Sequence, residues 1–149
     1  RREIELRIKA RLGQLETAPS GESGALHHRV AEDYWELAFL GLVEGEVYRH
    51  TLRTASEHAI DALKVEPSSA GAALLLGRIS LKLGDVARAH EALADAERLG
   101  IPAWRVCPYV AEVLFLQGQF HAVGAALLPQ AELVHDHLPL ARLQRFWNG

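Results

Sequence analysis

The sequence predicts an all-α protein built as a stack of about three helix hairpins with a short capping helix at its C-terminal end. Three observations carry that expectation. Ala and Leu are abundant, aromatic residues make up only 7% of the chain, and β-branched alternation is nearly absent. Each apolar stretch of helical period is followed by a glycine or proline that can close it. The turn Leu83-Gly84-Asp85-Val86 recurs as Gln117-Gly118-Gln119-Phe120, with its glycines 34 residues apart.

The elements follow in order. From Arg1 to about Glu16, Ile4, Ile8, Leu12 and Leu15 fall at helical spacing, with Arg1, Arg2, Arg7, Lys9 and Arg11 on the remainder. Residues 1–16 therefore read as an amphipathic helix, 17–25 as a turn-rich linker rich in Pro, Ser and Gly, and 26–149 as the helical domain. Within that domain a helix carrying Tyr34, Trp35, Leu37, Leu40 and Leu42 should end near Gly45. The next covers Tyr48 to Lys64 and stops before Pro67. A third runs from Ser69 to Leu83, and a fourth from Val86 to Leu99, ahead of Gly100-Ile101-Pro102. A fifth spans Trp104 to just before Gly118. A sixth starts at Phe120 and is interrupted by Pro129, and Leu138 to Trp147 would form the cap.

Composition excludes several function classes. With 149 residues the chain can build one real core, burying roughly 68–70% of its unfolded surface. Sixteen basic and 19 acidic residues leave a net charge of −3, so no global field favours nucleic acid. The single cysteine, Cys107, permits neither an internal disulfide nor cysteine-based zinc spacing, and its place in a helix reads as a buried thiol. No run of 18 apolar residues is present. The chain begins at Arg1 and has no methionine, so we expect it to be a piece of a longer protein. The chain has no GxxxxGK phosphate loop, GxGxxG turn, GxSxG elbow or HExxH helix, and no catalytic residue or cofactor is expected. Of the eight histidines, His27 and His28 are adjacent and diverge by about 100° on a helix. His135-Asp136-His137 reads as a polar connector, so no metal is expected; a divalent-metal or enzyme site on these three residues is the lesser alternative.

The period has chemical content. In Ala70–Ala103, Leu76-Gly77 precedes the small residues Ala89 and Ala96, the bulky Leu93 lies between them, and Pro102 closes the unit. Small residues at these places let the helices of a hairpin, and successive hairpins, approach closely. Trp104–His137 keeps the spacing with Ala111, Val123 and Gln130 at the equivalent places. Upstream, Ala55, Ala62 and Pro67 keep register, and Leu40-Gly41 reads as the Leu-Gly pair if two residues are inserted in the Glu44–His50 turn. On these residues the chain resembles the tetratricopeptide repeat family over Arg29 to His137. An unrelated helical bundle with a chance spacing is the alternative.

The tetratricopeptide resemblance implies an α-α superhelix with a groove lined by the first helix of each hairpin. Transferred onto this sequence it points to Trp35, Leu42, Arg78, Leu81, Lys82, Glu112, Phe115 and Leu116 as partner-binding residues. Coverage of Leu81, Phe115 and Leu116 by the first helix or by a second copy of the chain is the other reading.

A narrower likeness lies in Ala31-Glu32-Asp33-Tyr34-Trp35-Glu36-Leu37-Ala38, Gly41-Leu42-Val43-Glu44-Gly45-Glu46 and Gly100-Ile101-Pro102-Ala103-Trp104-Arg105-Val106. These segments resemble the cytoplasmic repeat domain of the E component of the bacterial Pel exopolysaccharide machinery. That resemblance implies a non-catalytic scaffold on the cytoplasmic face of the inner membrane, anchored through a segment outside this sequence. Its partner would be the cyclic-di-GMP receptor of the same complex, with a homo-oligomer possible and no nucleic acid involved. A tetratricopeptide adaptor or chaperone of another secretion or envelope assembly system is the second reading. The basic stretch Arg1–Arg11 suits a position just inside a membrane, and its Ile4, Ile8, Leu12 stripe suits packing on the repeats equally.

Overall fold

The computed structural model describes residues 1–131. Among the described residues there are seven α-helices and no strands, so the all-α class holds. They are α1 (Arg2–Thr17), α2 (Ser23–Phe39), α3 (Gly45–Val65), α4 (Ala70–Leu83), α5 (Val86–Arg98), α6 (Ala103–Leu116) and α7 (Phe120–Ala126). The expected cap at Leu138–Trp147 lies outside the described residues, as does His135-Asp136-His137. No helix among the described residues is long and apolar enough to cross a membrane.

Helix ends follow local chemistry. Ser69 and Asp85 are N-caps whose side chains accept hydrogen bonds from the backbone N–H groups of Ala72 and Arg88, at 3.3 and 3.2 Å. Gly84 closes α4 at φ +78°, a backbone region that costs a side chain about 1–2 kcal/mol. The next residue's N–H, from Asp85, returns to the Ser80 carbonyl at 2.9 Å. The same closure ends α2, where Gly41 has φ +66° and Leu42 N–H bonds the Leu37 carbonyl. It ends α6 too, where Gly118 has φ +76° and Gln119 N–H bonds the Leu114 carbonyl. Pro108 lies inside α6 and cannot donate to the Trp104 carbonyl. The Cys107 thiol does so instead, at 3.5 Å, and is buried.

The helices pack chiefly on their neighbours in chain order, and α2, α4 and α6 also touch in succession. Two large apolar clusters hold the hairpins. One centres on Trp35, Leu52, Leu76 and Ile79, the other on Leu74, Leu93, Val106 and Val113. At Gly77, α4 and α5 approach closely: a Cβ there would lie 2.8 Å from Leu93 Cγ and Cδ2.

Helix α1 packs through Ile4 and Ile8 against Leu37 of α2 and Val43 of the α2–α3 turn. Arg7 reaches Glu36 at 2.6 Å and Asp33 at 3.5 Å, and Arg11 pairs with Asp33, whose side chain is only 5% exposed. The first helix is thus seated on the hairpins. The linker is shorter than 17–25, because α2 begins at Ser23 and Gly24 already packs tightly on Val65.

One register assignment is corrected. Leu40-Gly41 is not the mid-helix pair equivalent to Leu76-Gly77. It lies beyond the end of α2, and the positive φ of Gly41 marks it as the counterpart of Gly84. Nor is a two-residue insertion the difference between the hairpins. The α2–α3 turn is longer than Gly84-Asp85, and α3 is a 21-residue helix against 13 for α5.

Candidate functional site

With the closing glycines aligned, Trp35, Arg78 and Glu112 occupy one equivalent place on α2, α4 and α6 (35 before 41, 78 before 84, 112 before 118). Phe39, Lys82 and Leu116 share another (39, 82 and 116 before the same glycines). Successive first helices touch, so residues at equivalent places form a row across them.

That row builds a cleft of about 310 Å³ lined by Trp35, Phe39, Arg78, Leu81, Lys82, Tyr109 and Glu112. Its centre is Arg78. The guanidinium carbon lies 5.0 Å from the Trp35 ring centroid, 5.2 Å from that of Tyr109 and 6.0 Å from that of Phe39. A cation placed over aromatic faces gains about 0.5–1 kcal/mol when exposed and about 2 when desolvated. Trp35 is 9% exposed and stacks on Phe39 with centroids 5.8 Å apart. Phe39 itself is 64% exposed. Arg78 Nε is buried without a hydrogen-bond partner among the described residues. The cleft therefore offers an aromatic wall, an aliphatic floor at Leu81, an oriented cation and exposed charges of both signs at Lys82 and Glu112. That inventory suits recognition of a polypeptide.

Of the residues expected in the groove, the structure brings together Trp35, Arg78, Leu81, Lys82 and Glu112. Leu42 is elsewhere. It follows the closing glycine of α2 and packs with the cluster that seats α1, which is a consequence of the shifted register. Phe115 and Leu116 are exposed at the end of α6 and do not line the cleft. Phe115, 59% exposed, meets Phe120 of α7 edge-on with centroids 5.2 Å apart. Phe39 and Tyr109 line the cleft although the repeat resemblance does not point to them. Aligning Gly41 with Gly84 would have put Phe39 at the place of Lys82.

A second polar cluster lies between α2 and α3. His27 Nδ1 and His58 Nδ1 are 2.9 Å apart, and Asp61 lies beside them. The Tyr34 ring stacks on His58 with centroids 6.0 Å apart. Burial lowers the His58 pKa from its ordinary value, and His27 adds to that, against Asp61 and Glu57. Burial also raises the pKa of Tyr34. Sequence separation hid this cluster, since only the α2–α3 pairing brings His27 to His58.

No protein-family model matches the chain, and no curated protein is recovered as a relative.

Proposed function

We propose that the chain is a non-catalytic interaction domain that receives a segment of another polypeptide in the cleft across α2, α4 and α6. The observation that carries this is Arg78, held between Trp35 and Tyr109 in the cleft with the exposed Phe39 beside it. A carboxylate of the partner would pair with the Arg78 guanidinium, which lines the cleft, while an apolar side chain would cover Phe39. The stacked hairpins and their recurring closing glycines support a tetratricopeptide-like arrangement.

On the sequence resemblance to the Pel E component, the partner is the cyclic-di-GMP receptor of an exopolysaccharide synthase complex, and the domain serves as a scaffold at the inner membrane. Titration calorimetry of the chain with the cytoplasmic part of such a receptor tests both levels. Binding that weakens by about tenfold or more in Arg78→Glu and in Phe39→Ala is expected, with helicity unchanged. Unchanged affinity in both variants removes the cleft assignment. Absence of receptor binding, with Arg78-dependent binding to a component of another envelope assembly system, replaces the Pel reading with the adaptor reading.

A further inference from the structure

We infer that His27, His58 and Asp61 form a binding site for a divalent transition-metal ion of the zinc class, which would clip α2 to α3. The three side chains come from two helices and are all half-buried, and one ligand atom from each lies within 4.8 Å of the others. His58 and Asp61 are three residues apart on α3 and so share a face, and His27 meets them from α2.

The spacing of the two nitrogens is near that of two ligands on one ion. Two nitrogens about 2.1 Å from a metal are about 3.0 Å apart at a right angle and about 3.4 Å apart at the tetrahedral angle. The His27 and His58 Nδ1 atoms are 2.9 Å apart, close to the right-angle spacing and about half an ångström short of the tetrahedral one, and their rings must turn so that both lone pairs meet at one ion instead of facing each other.

The donor set selects the ion. Two imidazoles and one carboxylate suit Zn²⁺, Co²⁺ or Ni²⁺, whereas Ca²⁺ and Mg²⁺ prefer all-oxygen sites. Three protein ligands leave positions for water. In the metal-free chain the Nδ1 pair is a hydrogen bond and one nitrogen holds the proton. Both Nδ1 lone pairs must face the ion, so that proton leaves Nδ1 on binding. The competing partner of Asp61 is weak: Lys64 lies 3.8 Å away and its side chain is 74% exposed. The Tyr34 ring stacked on His58 restrains the imidazole before any ion arrives.

The test uses the full 149-residue chain, stripped with EDTA and titrated with Zn²⁺ by calorimetry and with Co²⁺ by visible absorption. One equivalent is expected to bind and to raise the melting temperature. His58→Gln should weaken binding by about 100-fold and Asp61→Asn by about tenfold, while His90→Gln and the double variant His135→Gln/His137→Gln should bind as the parent does. If His58→Gln loses its helical circular dichroism, His27→Gln gives the same readout from the other helix. Failure to bind a stoichiometric ion overturns the proposal. So does binding that survives both His27→Gln and His58→Gln, or binding that is lost in the His135→Gln/His137→Gln variant.

Discussion

Trp35 of α2 and Arg78 of α4 stand at the same place in successive first helices, and they touch: the guanidinium carbon is 5.0 Å from the indole centroid. Tyr109 of α6 closes the other side at 5.2 Å. A planar guanidinium stacks on rings in a way that a lysine ammonium does not. Arg78→Lys should therefore keep the charge yet lose about 1 kcal/mol of stability, and Arg78→Ala about 1–2 kcal/mol. Urea unfolding followed by circular dichroism measures both. Equal stability of the parent and both variants would mean that the stack contributes nothing to the fold.

The helices and their order were legible because their ends are written locally. A glycine closing a helix and an Asp or Ser opening the next are short-range signals, and the 34-residue recurrence of one turn is a long-range one. The register of the first hairpin was not legible. Leu-Gly serves two opposite purposes here: Gly77 is helical and lets Leu93 approach, whereas Gly41 adopts a positive φ and stops a helix. Only the backbone angle separates them. That ambiguity carried Leu42 into the expected groove and left Phe39 out. The His27–His58 contact was invisible for another reason. It depends on how far along α3 the α2 helix runs, and the chain pattern does not encode that length.

Two glycines in helix interiors should respond in opposite directions to alanine. A Cβ at Gly77 meets Leu93, which is 1% exposed and has nowhere to move. Overpacking of about 1–3 kcal/mol outweighs the helix-propensity gain of about 1 kcal/mol, so Gly77→Ala should lose about 1 kcal/mol. A Cβ at Gly13 in α1 meets nothing within 4 Å. Gly13→Ala should gain about 0.5–1 kcal/mol. Thermal melts of both variants check the pair, and a stabilised Gly77→Ala would show that α4 and α5 separate freely.

Stability of the metal-free chain should fall as pH drops below the ordinary imidazole value of 6.5. The folded state lowers the His58 pKa, chiefly through burial, so below 6.5 the unfolded chain takes up a proton that the folded chain resists. The contribution is fully present above 6.5 and is lost as pH falls toward the lowered value. The groups facing His58 are His27 and Tyr34 from α2 and Glu57 and Asp61 from α3. Melting temperatures in EDTA between pH 8 and 5, compared for the parent and His58→Gln, isolate this histidine. The parent should show the steeper loss, and parallel curves would contradict the assignment.

Asp33 anchors α1. Its carboxylate is buried on α2 and is met by Arg11 and, at 3.5 Å, by Arg7, whose side chains are 27% and 42% exposed. The two directions of truncation are therefore unequal. Arg11→Ala leaves a buried carboxylate with only the longer Arg7 pair, at a cost of about 1–3 kcal/mol. Asp33→Ala leaves Arg7 its Glu36 partner and leaves Arg11 a part-exposed side chain that can turn toward water, so it should cost less, and the double variant should cost less than the sum of the two singles. The only substantial packing partner of α1 among the described residues is α2, so the damage should stay local. Hydrogen exchange of α1 amides should speed up in Arg11→Ala while α4 and α5 remain protected. Uniform loss of protection across α1, α4 and α5 would mean that the first helix belongs to the same cooperative unit as the hairpins rather than resting on them.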